Sequence, residues 1–217
     1  CIRDRFCGLY ARLFNPFWDK LRLEHIERET LDSIRNESQR SCENRKKIES
    51  LYGKKKWTIL ILLPGIADRA IPEQWDKIYR ALVEFKTLSL DCHLFLRFRR
   101  VNQARQYPHM SRFLELPDED QRIIADHKNF NTHELMAACD LVIACNASFA
   151  INESLFARIP VFTFSYTLKE HLYFPDYGSQ FILQESQDVL RSIRGLETGF
   201  EKFDCDWNRL RKDIEYI

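Results

Sequence analysis

The sequence lacks a long apolar run, a strong net charge and a secretion signal, and each absence excludes a class of protein. No run approaches the ~20 apolar residues that a bilayer-spanning helix needs, and no signal-peptide pattern is visible. The formal net charge is only +1 over 217 residues, so charge does not indicate a nucleic-acid partner. We therefore expect a cytoplasmic protein that does not bind nucleic acid.

Metal-site and disulfide patterns are also missing. No CxxC pair occurs among the cysteines at positions 1, 7, 42, 92, 139, 145 and 205. An odd, scattered set of this kind predicts reduced and mostly buried thiols. His127 and His133 are spaced too loosely to indicate a metal site. We expect no bound metal and no cofactor.

The first 53 residues are predicted to form a helical extension. Residues 1–22 carry an aromatic stripe at helical spacing, flanked by basic residues and interrupted by Pro16. That stripe could lie on an anionic membrane surface at the inner face of the membrane, or pack against the rest of the protein or a missing domain. Residues 24–51 are polar almost all round, which is typical of a solvated connecting helix. The chain begins with Cys1, and we expect a fragment or a processed product.

Residues 54–217 alternate between strand and helix. Residues 58–63 form a continuous apolar run, which indicates a strand buried on both faces, as in a parallel sheet, and residues 140–145 are the strongest strand segment. Further strands are predicted at 93–97, 122–125, 160–164 and 180–183. Helices are predicted from Pro72, at 132–139, from 148 to about 157, at 186–193 and at 206–216. The pattern predicts an α/β fold, a doubly wound Rossmann-like parallel sheet.

In such a sheet, with strand order 3-2-1-4-5-6, the ligand crevice opens beyond the carboxyl ends of strands 1 and 4. Those ends are followed by Gly65 and by Asn146 and Ser148. Gly65 lets a ligand approach the backbone closely. Ser148 and the amide of Phe149 begin a helix, whose free N–H groups favour an anion such as phosphate. Ser148 could alternatively be a simple helix cap. No G-x-G-x-x-G or Walker A motif occurs, which argues against dinucleotide dehydrogenases and P-loop NTPases.

The segment from Cys139 to Val161 resembles the donor half of GT-B glycosyltransferases of bacterial capsule and surface-polysaccharide synthesis. It is similar to their pattern aDlvi..nSS...EAl..GkPv, within a wider resemblance over about residues 55–195. The resemblance implies a nucleotide-sugar donor, a carbohydrate acceptor and a second domain or partner chain. It also implies that Ser148 contacts the donor phosphate beside Asn146, and that Glu153 faces the sugar nucleotide.

The chain departs from that pattern in two places that bear on the site. Ala147 replaces the first Ser, and Arg158 stands where the family prefers Gly. After the second strand, where these enzymes often carry His-Pro, the chain has Arg97 and Arg99. These arginines could pair with phosphate or carboxylate, and a solvated basic loop is an equally good interpretation.

The chemistry implied by this resemblance is stabilisation of a departing nucleoside phosphate without a required metal. His171 is the local candidate for proton transfer, although a surface histidine is the more frequent outcome. Two other functions stay open: a nucleotide-sugar epimerase, and a non-catalytic binding module that has kept the fold.

Overall fold

The computed structural model describes most of the sheet and part of the N-terminal helical segment. The described residues are 32–33, 36–63, 72–98, 101–105, 107–117, 122–145, 153–154, 157, 159–164, 182–198 and 200. Among the predicted site residues, Arg97 and Glu153 lie within this part. The predictions that lie outside it concern residues 1–22, Gly65, Arg99, Asn146, Ser148, Phe149, His171, the helix at 206–216 and most of the helix from 148 to about 157.

Six strands form one parallel sheet within the described residues. They are β1 (Trp57–Leu63), β2 (Cys92–Phe98), β3 (Ile123–Ile124), β4 (Leu141–Cys145), β5 (Val161–Phe164) and β6 (Ile182–Leu183). Their order is β3-β2-β1-β4-β5-β6, and every neighbouring pair is parallel. The predicted doubly wound fold is therefore confirmed, with the direction of winding reversing between β1 and β4.

The apolar runs form the centre of this sheet because both of its faces are covered. Every residue of β4 is buried, and β1 is buried at five of its seven positions. A strand covered on both faces has no need for the polar alternation of a half-exposed sheet. These two strands therefore show no alternation of polar and apolar residues. Their apolar composition is what indicates a central place in the sheet.

Helices α1 (Ser41–Tyr52), α2 (Pro72–Phe85), α3 (Val101–Ala104), α4 (Pro108–Ser111), α5 (Thr132–Ala138) and α6 (Ser186–Thr198) flank the sheet. The start of α2 at Pro72 confirms the prediction that proline occupies the first helical turn. The cap of α5 is Asn131, whose side chain accepts the Glu134 amide while the Glu134 carboxylate accepts the Asn131 amide. No helix in the described part is long and apolar enough to cross a membrane.

Between β2 and β3 the chain forms short elements that its pattern does not predict. Helix α4 begins at Pro108 and leads into a 3₁₀ turn, Arg112–Glu115. Phe113 on that turn is fully buried, and its ring lies edge-on to Trp75 and Tyr79 of α2, at centroid distances of 5.4 Å each. Elements of four residues are held by such contacts and not by helical periodicity, so sequence pattern alone misses them.

Helix α1 corrects one expectation, because one of its faces docks on the sheet domain. Ile48 and Asn44 are buried, with 1% and 4% of their surface exposed. Arg45 donates to both carboxylate oxygens of Asp140, at 3.0 and 3.1 Å. The ammonium of Lys47 lies 4.5 Å from the ring centre of Phe130. The prediction of a solvated connecting helix is therefore wrong for this face. The apolar stems of its charged side chains supply contact area, and a sequence of mostly polar residues does not reveal such contacts. The domain boundary after residue 53 stays a prediction.

The cysteines within the described residues are free thiols. Cys92, Cys139 and Cys145 are buried, as predicted, while Cys42 is exposed on α1. Burial raises the pKa of Cys92 to about 12 and also raises the pKa values of Cys139 and Cys145. These three thiols are therefore poor nucleophiles in the folded protein.

Candidate functional site

The sheet brings the ends of β1, β2 and β4 together at one edge. Leu63, the last residue of β1, pairs with Phe98 at the end of β2, and Leu62 pairs with Ala144 of β4. All three strands run in the same direction, so the segments that follow them leave from the same edge. Gly65 is two residues beyond β1, and Asn146 directly follows β4. Their strands are therefore placed as the ligand-crevice prediction requires, although Gly65, Asn146, Ser148 and Phe149 themselves are outside the described residues.

Arg97 lies at this edge, one residue before the end of β2. Its side chain is half-buried, and Nη1 donates to the backbone carbonyl of Asp126 at 3.0 Å. Burial lowers the pKa of Arg97, while the carboxylates of Asp126 and Glu134 act in the opposite direction. A guanidinium remains charged under these conditions and carries five N–H donors, so this single bond leaves it able to hold an anion as well. The solvated-loop interpretation does not describe Arg97; Arg99 lies outside the described residues.

The loop that Arg97 contacts is organised by Asp126. One carboxylate oxygen accepts the amides of Lys128 and Asn129, at 2.7 and 3.0 Å. The other accepts the side-chain amide of Asn129, at 2.7 Å, and the hydroxyl of Tyr52. Burial by itself would raise the pKa of Asp126, but these four hydrogen bonds outweigh it and lower the pKa to about 2. Asp126 is thus ionised and fully engaged at neutral pH.

Tyr52 connects this loop to the N-terminal helix. Its ring lies edge-on to Phe95 of β2, with centroids 5.6 Å apart, and its hydroxyl donates to Asp126. Burial, with the bond to Asp126, raises the pKa of Tyr52 to about 12. Because Phe95 and Arg97 are two residues apart on one strand, they lie on the same face of the sheet. Helix α1 therefore covers the face from which Arg97 projects.

His127 stands next to this network. Its ring lies 5.8 Å from that of Phe98, centre to centre, and its buried Nε2 atom has no hydrogen-bond partner among the described residues. Burial and then the charge of Arg97 lower the pKa of His127 to about 4, against a smaller opposing effect of Asp126. The imidazole is therefore neutral at pH 7.

Glu153 is placed differently from the other predicted residues. Its side chain is 8% exposed, and Oε2 lies 3.4 Å from Nε2 of His133, near the start of α5. The other ring nitrogen of His133 lies 3.4 Å from the hydroxyl of Ser33. Glu153 thus has a protein partner, and its contact with a ligand stays a prediction.

Sequence reasoning missed Tyr52 and Asp126 entirely and treated His127 only as a candidate metal ligand. Asp126 carried a usable signal, since an Asp followed by Asn three residues later in a short loop is typical of a carboxylate that caps its own turn. Within the described residues, no group of three or more His, Cys, Asp or Glu side chains could hold a metal ion. Tyr52 and His127 carried no local signal.

Comparison with known proteins rests on structure alone, because no protein-family model and no curated protein matches the sequence. The chain is similar to the C-terminal CMP-Kdo-binding domain of WaaA from Acinetobacter baumannii, with a TM-score of 0.55 and 8% identity, over 81% of this chain and 96% of that one. It is also similar to the wall teichoic acid polymerase TagF, with a TM-score of 0.50 and 14% identity, over 84% of this chain and 43% of that one. The chain therefore spans less than half of the TagF chain. Its fold is that of the C-terminal domain of GT-B glycosyltransferases.

Proposed function

We propose that this chain is the donor-binding part of a glycosyltransferase that transfers a sugar from a nucleotide-sugar to a surface or capsular polysaccharide acceptor. The observation that carries the proposal is the reversal of strand order between β1 and β4, because in doubly wound sheets ligands bind beyond the carboxyl ends of the strands at this point. The half-buried Arg97 at that edge supplies a fixed positive charge for a phosphate.

In this proposal the donor phosphate binds at the start of the helix after β4. Ser148 and the amide of Phe149 would donate to it, with Asn146 beside them, because a helix N-terminus favours negative charge. Arg97 and Arg99 would approach from the end of β2, and Gly65 would leave room beside β1. Glu153, whose carboxylate contacts His133, would face the sugar nucleotide.

The donor base is proposed to be cytosine. The WaaA domain is described as binding CMP-Kdo, and TagF was solved with CDPG. Both similar folds therefore carry a cytidine nucleotide, which places CMP first among the nucleotides to test.

For catalysis, the helix N-terminus and the arginines would stabilise the negative charge that develops on the departing nucleoside phosphate. His171 is proposed as the local proton-transfer group. The general base that activates the acceptor is proposed to come from a preceding domain or a partner chain. Peripheral membrane contact through residues 1–22 belongs to the same proposal.

The test is thermal-shift and calorimetric titration with CMP, UDP, GDP and dTDP, on the wild type, Ser148→Ala and a control, Ser89→Ala. Ser89 is exposed and precedes β2, at the opposite edge of the sheet. A nucleotide at 100 times its dissociation constant stabilises the fold by about 2.7 kcal/mol. We expect one nucleotide to do so in the wild type and Ser89→Ala, and its affinity to fall at least tenfold in Ser148→Ala. Equal binding by all three proteins would contradict the assignment of the phosphate to Ser148.

A further inference from the structure

His127 has a buried hydrogen-bonding atom that nothing in the described structure uses. Its Nε2 is shielded from solvent and has no hydrogen-bond partner, while its ring packs against Phe98. Folded proteins nearly always satisfy buried polar atoms, so an exception requires an explanation, of which a bound ligand is one. The position of His127 favours that explanation, because the residue follows β3 at the same edge as the end of β2.

Of the charges that act on His127, that of Arg97 has a larger effect on its pKa than that of Asp126. Arg97 of β2 bonds the carbonyl of Asp126, the residue that precedes His127 in the loop. The carboxylate of Asp126 is already occupied by Tyr52, Lys128 and Asn129. From α5, Glu134 interacts with Arg97, but its carboxylate is engaged by the amide of Asn131. The carboxylates of Asp126 and Glu134 therefore accept hydrogen bonds from protein donors, and neither bonds the imidazole.

We propose that Arg97 and His127 together bind an oxyanion, a phosphate or a carboxylate group, and that His127 takes up a proton when the anion binds. The identity of this anion as part of the donor rests on the proposed function. Nε2 would gain the proton from solvent and donate it as a hydrogen bond to the anion, while Arg97 donates through a nitrogen other than Nη1. No covalent bond forms or breaks.

The physical basis is that an anion reverses the two effects that keep His127 neutral. Without ligand, burial and the neighbouring guanidinium hold its pKa at about 4. An anion between the two side chains offsets the charge of Arg97 and gives the buried N–H⁺ a partner, so the pKa rises. The bound state then holds more protons than the free state. By linkage, anion affinity increases as pH falls toward about 4 and becomes constant below it.

The test is an NMR titration of ¹⁵N-histidine-labelled protein, with and without sulfate, whose charge is constant over this range. The His127 signal is assigned by its loss in His127→Gln. We expect His127 to titrate near 4 without sulfate and at least one pKa unit higher with saturating sulfate. Arg97→Gln should abolish that shift, whereas the exposed Arg80→Gln should not. His93, whose Nε2 lies 2.9 Å from the carbonyl of Gly53, serves as the internal control and should not respond.

A parallel titration with acetate at about pH 5.5, where most of the acetate is ionised, distinguishes the two ligand chemistries. A response to sulfate alone indicates a phosphate-like group, and a response to both indicates a general oxyanion site. Bound sulfate that leaves the His127 titration unchanged would overturn the inference, as would the absence of any sulfate binding.

The outcome is separable from that of the proposed function. Nucleotide binding that depends on Ser148 but leaves His127 unaffected would contradict this inference and support the proposed donor site. A sulfate response at His127 in a protein that binds no nucleotide would support this inference and contradict the proposed donor site.

Discussion

Removing the hydroxyl of Tyr52 tests whether helix α1 stabilises the loop that contacts Arg97. In Tyr52→Phe the ring and its contact with Phe95 are kept, while the hydroxyl is lost with its bond to Asp126 and its interaction with the Asn129 side chain. A hydrogen bond to a charged group contributes about 1.5–3 kcal/mol. Because Asp126 keeps three other donors, we expect the lower part of that range, about 1.5–2 kcal/mol at pH 7.

The pH dependence of this loss identifies its source. The pKa of Asp126 is lowered to about 2, so its stabilising effect is complete above its ordinary value of 3.8 and is lost as pH falls through 2. Without the tyrosine bond the pKa of Asp126 should rise, and the difference between the two proteins should shrink between pH 4 and 2. At high pH the dependence runs the other way, because the pKa of Tyr52 is raised to about 12. The stabilisation by Tyr52 is lost as pH rises from 10 to 12, and Tyr52→Phe lacks this loss.

The assay is urea denaturation of the wild type, Tyr52→Phe and a control, Tyr107→Phe, at a series of pH values. Tyr107 is 38% exposed, and exposed substitutions usually change stability by less than about 0.5 kcal/mol. A loss below about 0.5 kcal/mol for Tyr52→Phe at pH 7, or a loss that does not vary with pH, would show that the Tyr52 hydroxyl does not stabilise this loop through Asp126.

Three further outcomes follow from the described contacts. Asn131→Ala removes the cap of α5 and should lower the free energy of unfolding by about 1 kcal/mol in urea denaturation. Mass spectrometry of peptides after brief alkylation of the native protein should find Cys42 modified and Cys92, Cys139 and Cys145 protected; equal modification would contradict their burial. The unfolded state takes up a proton at His127 near pH 6.5, but the folded state only near 4. Wild-type stability should therefore fall by up to about 3 kcal/mol as pH drops across that window, and His127→Gln should flatten that part of the profile.

The fold was predictable because its central strands are marked by composition. Residues 59–63 and 141–145 are apolar without interruption, which is typical of strands buried on both faces. The Asn131 and Glu134 pair, three residues apart, likewise marks the start of α5 by local chemistry. These signals are contained within a few neighbouring residues, so the sequence displays them directly.

The arrangement at the carboxyl edge depends instead on contacts between distant residues. Arg97 bonds a carbonyl 29 residues away, and Tyr52 bonds a carboxylate 74 residues away. The docking of α1 was hidden because its contacts are made largely by charged side chains, such as Arg45 and Lys47. No pattern along the chain distinguishes these from solvated residues, so only the assembled sheet reveals them.

The most direct test of a nucleotide site at the carboxyl edge is amide chemical-shift mapping of the labelled protein during titration with CMP. Binding at this edge should perturb the strand ends Leu63, Phe98 and Cys145 and leave Trp57 and Cys92 at the opposite edge unchanged. Perturbations centred on Trp57 and Cys92, or none with CMP or any other nucleotide of the panel, would contradict it.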